Sequence, residues 1–433
     1  MNTLPVDDPL RVVLHNEVHA RPSARIHLPA FIVLVGVFNE GVSREQEWAH
    51  LKLLQPDLPF EEVQGNFVRL HLGAYTLKWE RHTEFTRYSF VQTLPSGALA
   101  QMPNPELLSQ LTLPDGWLAS IPGRTFAAIE LLMLHNDLSD LKQSLAHAGE
   151  WFGDHPLVAS RMGNGGHSVV VTDFQLRSNG FERMLVLAPV GISDSRGGRI
   201  SQRLLELETY RLMALRGLPV AKTVGAQLGL AERELADITT ALQNKASQDQ
   251  GLLDRLIGLA ASVELIHAEH AYRFAATAAY DKLVRERIAE LRESPISGTQ
   301  TIGEFMQRRL LPAMATVAAT AHRLSNLSER ISRTSALLRT RVDIASEEQN
   351  SQLLAKLTKG QELQLRLQTT VEGLSIAAIT YYVISLTLYL GKAGKAAGLP
   401  IHPEMAAGAM VPLVLWVVWW MNKRLHDRLR RVD

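Results

Sequence analysis

His15, Glu17 and His19 stand two residues apart in LHNEVHARPSARIH, the densest polar cluster of the chain, with Arg21, Arg25 and His27 close behind. In an extended segment the three share one face, and in a helix His15 and His19 lie one turn apart. Either geometry brings two imidazoles and a carboxylate within reach of a divalent metal ion. The spacing permits a metal without demanding one, because a hydrogen-bonded edge segment accounts for the same residues. A divalent metal here is the one cofactor the sequence admits.

Two Glu-x-x-His pairs follow, Glu47 with His50 and Glu264 with His267, the second continued by Glu269 and His270. A carboxylate-bridged pair of metals needs two such pairs on facing helices and two further glutamates. These two fall in different expected domains, so salt-bridged helical faces are the better reading. The glycine-rich Arg161-Met162-Gly163-Asn164-Gly165-Gly166-His167 lacks the Lys-Ser or Lys-Thr of a phosphate loop and reads as a hairpin turn. Ser193-Asp194-Ser195-Arg196-Gly197-Gly198-Arg199 has the residues to meet an anion at a helix start, and reads more simply as a cap and linker.

The chain of 433 residues contains no cysteine, which removes thiolate catalysis, disulfides and sulfur-ligated metals. Lys and Arg number 45 against 44 Asp and Glu, so no global basic field points to nucleic acid. With no phosphate loop and no recognisable triad, we expect no enzyme. The amino-terminal residues lack the basic and apolar regions of a secretory signal, which leaves the bulk of the chain in the cytoplasm.

The elements that must position these groups fall into two regimes. Residues 1–195 read as an α+β domain: Ala30 to Asn39 is a buried strand, Ser43 caps a helix to about Leu54, and Gly65–Leu72, Ala74–Arg81 and Glu84–Leu94 form a meander. Strands follow at Thr125–His135, Ser168–Phe174 and Met184–Val190, with a helix over Ser139–Phe152. No internal repeat is visible. From residue 196 to 310 the pattern is helical, with Arg199–Arg216 stopped by Gly217-Leu218-Pro219, then Ala231–Lys245 and Leu252–Arg292. A stalk helix fills 311–372, its seam marked by Leu324, Leu327, Ile331, Leu338, Val342 and Ala345.

Gly373 to Gly391 then runs without a charged side chain, about 28 Å of helix against a hydrocarbon core about 30 Å thick. A loop over 392–404 leads to a second apolar run, 405–421, and a basic tail, 422–433. Lys423, Arg424, Arg428, Arg430 and Arg431 after the second span, and Lys356, Lys359 and Arg366 before the first, outweigh Lys392 and Lys395 in the loop. Both termini are expected on the cytoplasmic side of a bacterial inner membrane, with Trp416, Trp419 and Trp420 at the inner interface. In the first span Ala378, Tyr382, Ser385 and Tyr389 share one helical stripe, and Gly373, Thr380 and Thr387 another. Hydroxyls in such stripes serve as interhelical glue or line a watery path. The pore-lining candidates are Thr380, Tyr382, Ser385, Thr387 and Tyr389, with Gly391, Lys392 and Lys395 at the outer mouth.

LHNEVHARPSARIHLPAF, NEGVSREQEWAHL and RLLELETYRLMALRGLP resemble an uncharacterised bacterial family of predicted membrane-anchored proteins, a resemblance that covers nearly the whole chain and implies no activity. The architecture is also similar to that of the CorA-type magnesium transporters. That resemblance implies a pentamer with the first span around the pore. Members carry a Gly-Met-Asn signature at the outer end of that span, where this chain has Tyr389-Leu390-Gly391-Lys392-Ala393-Gly394-Lys395. Lysines around a symmetric mouth repel divalent cations. The expectation is an α+β cytoplasmic domain, a helical bundle and stalk and a two-helix transmembrane hairpin, assembled as a homo-oligomer in the lipid bilayer. Its function is ion conduction, or else a membrane-anchored scaffold whose cytoplasmic domain binds a partner.

Overall fold

The structure is a computed structural model that describes residues 7–17, 25–58, 65–95, 107–244, 249–398 and 402–429. After a short helix α1 (Arg11–Glu17), the apolar run AFIVLVGVF forms β1 (Ala30–Phe38), buried along nearly its whole length. A strand covered on both faces has no polar side to present, which is why this segment is continuously apolar. Ser43 then starts α2 (Arg44–Lys52) with a capping box closed by Gln46. The meander β2 (Phe67–Leu72), β3 (Tyr75–Arg81), β4 (Phe85–Thr93) returns to pair with β1. Next come β5 (Arg124–His135), α3 (Leu141–Phe152), and the strands β6 (Val158–Met162), β7 (Ser168–Leu176) and β8 (Glu182–Ala188).

Among the described residues the strands make one nine-stranded sheet in the order β2-β3-β4-β1-β5-β8-β7-β6-β9, with β9 (Ser294–Pro295) added at the β6 edge. Its pairs are antiparallel except β5 with β8, which is parallel. The topology repeats where the sequence does not. Each half runs strand, helix, three strands, and in each the last strand of the three lies beside the first. The halves differ in direction, since β4 opposes β1 whereas β8 runs with β5.

Alternation along β1 divides two cores. Phe31, Val33 and Val35 join Trp48 of α2 and Trp151 and Phe152 of α3 on one face. Ile32 and Leu34 join the other, which is covered by α4 (Asp194–Leu215), the end of α6 (Asp249–Leu291), α7 (Ile302–Arg309) and the start of α8 (Leu311–Ala396). Gly217-Leu218-Pro219 does end α4, but the helix resumes at once as α5 (Gly217–Gln243). Pro219 occupies its first turn, where the missing N–H costs no hydrogen bond. Along α5, Ala221, Val224, Leu228, Ala231, Leu235 and Ile238 are buried at alternating spacings of three and four. Glu234 pairs with Arg255 of α6 at 2.8 Å and Glu232 with Arg323 of α8 at 2.8 Å, which ties the three helices together.

By compactness the chain divides into Met1–Ser247 with Asp254–Ser335, and Gln248–Leu253 with Ala336–Asp433. The expected borders at 195 and 310 fall inside the first unit. In the second, α8 continues to Ala396 without a break at Gly360, and the expected loop begins with five helical residues. The stalk seam is buried at Leu324, Leu327, Ile331 and Leu338 and ends there, since Ala345 is exposed. Residues 343–371 are exposed throughout, Leu353, Leu357, Leu367 and Val371 among them. The final helix, α9 (Pro403–Leu429), carries the second apolar run. α8 and α9 are both long and apolar enough to cross a membrane.

Candidate functional site

The second unit settles how the two stripes of the first apolar run are used within one chain. A Cβ on Gly391 would lie 3.2 Å from Cα of Pro403, which sets an antiparallel register for α8 against α9. Counting back along α8 and forward along α9 from that contact, Thr387 stands opposite Ala407, Thr380 opposite Val414 and Ile376 opposite Val418. Thr380, Ala407 and Val414 are buried, and a groove there is lined by both Ile376 and Val418. Gly373, Thr380, Thr387 and Gly391 therefore form the α9-facing stripe. Thr380 and Thr387 spend their hydroxyls on their own helix, donating to the carbonyls of Ile376 and Val383 at 2.8 Å each. The opposite stripe is open: Tyr382 and Tyr389 are 71% and 69% exposed, Ser385 is half-buried, and Lys392 and Lys395 are exposed beyond them. Of the five pore-lining candidates, Tyr382, Ser385 and Tyr389 face away from α9.

His15 lies exposed on α1, while His19 and the side chain of Glu17 lie outside the described residues. Among the described residues no group of three His, Asp or Glu is arranged to hold a metal ion. The Glu47 and His50 pair is structural. Glu47 accepts from Thr86 Oγ1 at 2.6 Å and pairs with Arg81 at 2.5 Å. His50 packs on Trp117, ring centroids 4.0 Å apart, and burial lowers its pKa to about 4, so it stays neutral. Glu264, His267 and Glu269 are exposed on α6.

The α4-facing side of the sheet carries buried charge that the sequence does not signal. Glu80 of β3 is paired with Arg87 of β4 at 2.7 Å and with Lys78 at 3.0 Å. Burial works against its charge, yet Arg87 and Lys78 prevail and hold its carboxyl at about 2. These groups, with Arg69, Ser89 and Glu206, and with Ile26, Leu34 and Leu205 among the apolar lining, border a cavity of about 50 Å³, the scale of a few waters. A second cluster joins β8 to α4, where Arg211 donates through Nε to Glu208 at 2.8 and 2.9 Å and through Nη2 to Glu182 at 3.2 Å. One guanidinium serves two carboxyl groups. Burial first, then the neighbouring Glu208, raises Glu182 to about 9, so at neutral pH it is protonated.

The sign of the resulting pH dependence follows directly. The folded chain keeps this proton up to about pH 9 while the unfolded chain releases it near 4.5, so the contribution is fully present below 4.5 and is lost as pH rises to 9. Thermal unfolding of the full chain in detergent, followed by circular dichroism, should show wild type losing stability between pH 6 and pH 9 relative to Glu182→Gln. The slope of the difference is at most about 1.4 kcal/mol per pH unit, that of one proton. Parallel curves would mean that Glu182 is ionised in the fold.

Two motifs that stand apart in sequence meet in one pocket of the first unit, of about 370 Å³. One wall is the β6–β7 turn, Gly163 to His167, a hairpin turn as the glycines predict. Gly163 has φ of +78°, a conformation that favours glycine, and a Cβ there would fall 2.1 Å from His167 Nε2, so a side chain would displace the imidazole. The second wall is the first turns of α4, where spacings of three and four align Arg196, Arg199 and Arg203. The third is the end of α6, with Glu290, Leu291 and Arg292; the Leu291 carbonyl accepts from Gly163 N at 3.0 Å. Glu290 pairs with Arg203 at 3.2 Å and with Arg287 at 2.8 Å. Arg196, Arg199 and Arg292 are exposed and have no ion-pair partner among the described residues. Burial, then the charge of Arg196, lowers the pKa of His167 and favours its neutral form. The Arg-x-x-Arg-x-x-x-Arg spacing was the available signal for this wall; Arg292 is nearly a hundred residues away and gave none.

A mixed sheet with helices on both faces, a very long helix and a last helix, both apolar enough to span a membrane, defines the class of protein. Residues 6–429 match the family described as protein of unknown function (DUF3422), and the chain belongs to that family. No curated protein and no solved structure matches it.

Proposed function

We propose that this chain is a homo-oligomeric membrane protein in which α8 and α9 cross the bilayer as a hairpin, both termini cytoplasmic, and copies assemble around α8. The observation that carries this is α8 itself, 86 residues or about 130 Å of unbroken helix. Its start is packed, its middle shows apolar residues to solvent, and its end is apolar. Leu353, Leu357, Leu367 and Val371 keep a single stripe through spacings of four and of ten, with Gly360 and Gln364 between them. A single chain leaves this stripe uncovered. The same stripe of another copy matches it in period and length, as in a coiled coil, and Lys356, Lys359, Glu362 and Arg366 beside it offer both signs of charge.

In the finer form of the proposal, the Ala378, Tyr382, Ser385 and Tyr389 stripe meets its copies around an ion path of CorA-like build. Four or five copies are needed, because two helices enclose no pore. Lys392 and Lys395 would ring the mouth and disfavour divalent cations. The function so described involves no covalent chemistry.

The scaffold reading has an observation of its own. Thr380 and Thr387 are satisfied within the helix and turned toward α9, as an anchor requires. Purified full chain in nanodiscs, weighed by native mass spectrometry, should give at least four protomers per particle, and proteoliposomes should pass monovalent ions. A single protomer per particle would sink the assembly itself. An oligomer with silent membranes would leave the scaffold, and exchange of the hairpin for an unrelated two-span anchor should then preserve function in cells.

A further inference from the structure

We propose that the pocket enclosed by the β6–β7 turn, the first turns of α4 and the end of α6 binds a small phosphate-bearing anion. Four guanidiniums reach it, and the one carboxylate present, Glu290, is already shared by Arg203 and Arg287. Three positive side chains, Arg196, Arg199 and Arg292, come together with no counter-charge among the described residues. Like charges collected in a concavity raise the local potential and draw an anion there. Guanidinium forks match phosphate oxygens two at a time.

The pocket is held in shape by contacts that also anchor the first turn of α7. Arg292 has φ of +47°, a left-handed conformation that costs a side-chain-bearing residue about 1–2 kcal/mol. The next residue fixes it there: Glu293 accepts from Ser160 Oγ at 2.8 Å and from Gly303 N at 2.8 Å. Arg292 directly follows the last residue of α6, where a left-handed conformation is a common helix ending, and from there it lines the pocket. His167 and Asn164 add neutral polar groups on the opposite wall. A volume of about 370 Å³ suits a pyrophosphate or nucleotide and is too small for a folded partner. The chain as a whole, at a net charge of +1, has no basic field that would recruit a nucleic acid.

Calorimetric titration of the full chain in phosphatidylcholine nanodiscs with inorganic pyrophosphate and with ADP, at low salt, tests this. One saturable site per protomer is expected. Affinity should fall at least about tenfold in Arg199→Ala combined with Arg292→Gly, since two charge-assisted contacts are removed. Glycine suits the backbone at 292, so this variant is expected to fold, and Arg199→Gln alone provides a second reading at an exposed position. A lipid headgroup is the second source of phosphate that the test distinguishes. With a lipid as the source, neither soluble probe binds, whereas phosphatidylglycerol is retained by the wild-type chain in native mass spectrometry and lost from the variant. Failure of pyrophosphate, ADP and phosphatidylglycerol alike, or binding indifferent to both variants, overturns the proposal.

Discussion

Glu80→Ala should be among the most damaging single substitutions in the first unit, costing about 3–5 kcal/mol of stability. The carboxylate holds Arg87, which is 4% exposed at its side chain, and Lys78, which is 12% exposed. Removing it leaves both cations buried without a partner, and the penalty is chiefly their desolvation. Glu80→Gln retains a hydrogen-bond acceptor and should lose less. Because the folded chain holds Glu80 at about 2 against an ordinary value of 4.5, its stabilisation is present above 4.5 and is lost as pH falls toward 2. Thermal unfolding of the full chain in detergent should therefore show the gap between wild type and Glu80→Gln closing as pH drops through that window. A constant gap would assign the effect to shape rather than to charge.

Gln361→Pro should give the opposite profile, with little loss of stability in the sheet and a large loss of assembly. The substitution removes a backbone hydrogen bond of α8 and sets the proline ring against the carbonyl of Leu357, at about 3 kcal/mol or more. Position 361 lies in the exposed stretch, so no core contact is lost with it. The main thermal transition should stay in place, while protomers per particle drop and any ion flux falls at least about tenfold, in step with the helix interruption that costs about 3 kcal/mol. Gln361→Ala is the control. Unchanged assembly in the proline variant would show that a continuous α8 is not what joins the copies.

How far the sequence could be read depended on whether a partner was local. β1, with every residue apolar, and α2, with Ser43 and Gln46 three apart, carry their own signals. So do α6, free of proline over 252–292, and α8, free of proline from Ala313 onward. β6 and the two-residue β9 were not legible, because VASRM and SP are too short to show a period, and SP takes its strand geometry from β6, more than a hundred residues away. α5 was begun too late, since Gly217 and Pro219 are read as a stop when they are the first turn of the next helix. The repeated topology was hidden because strand order is a property of pairing, not of composition.

The candidate sites divide in the same way. The hydroxyl stripes were visible from period alone, but which faces α9 depends on Gly391 meeting Pro403, a contact across the turn. The basic pocket needed three segments brought together, and only the arginine spacing in α4 was local. The buried charges at Glu80 and Glu182 look in the sequence like ordinary polar positions of exposed strand faces. The helices that cover them decide otherwise.

The two-residue strand β9 bears on how the chain is made. Ser294 and Pro295 seal the β6 edge against Arg161 and Ser160, and Ala159 N donates to the Gln300 carbonyl at 2.9 Å. During synthesis that edge stays unsealed while some 130 further residues emerge, among them all of α4, α5 and α6. An unpaired edge is a template for other chains, so these nascent helices must fold beside an open strand until position 295 arrives. Proline offers no amide hydrogen, which makes the seal terminal as well as late.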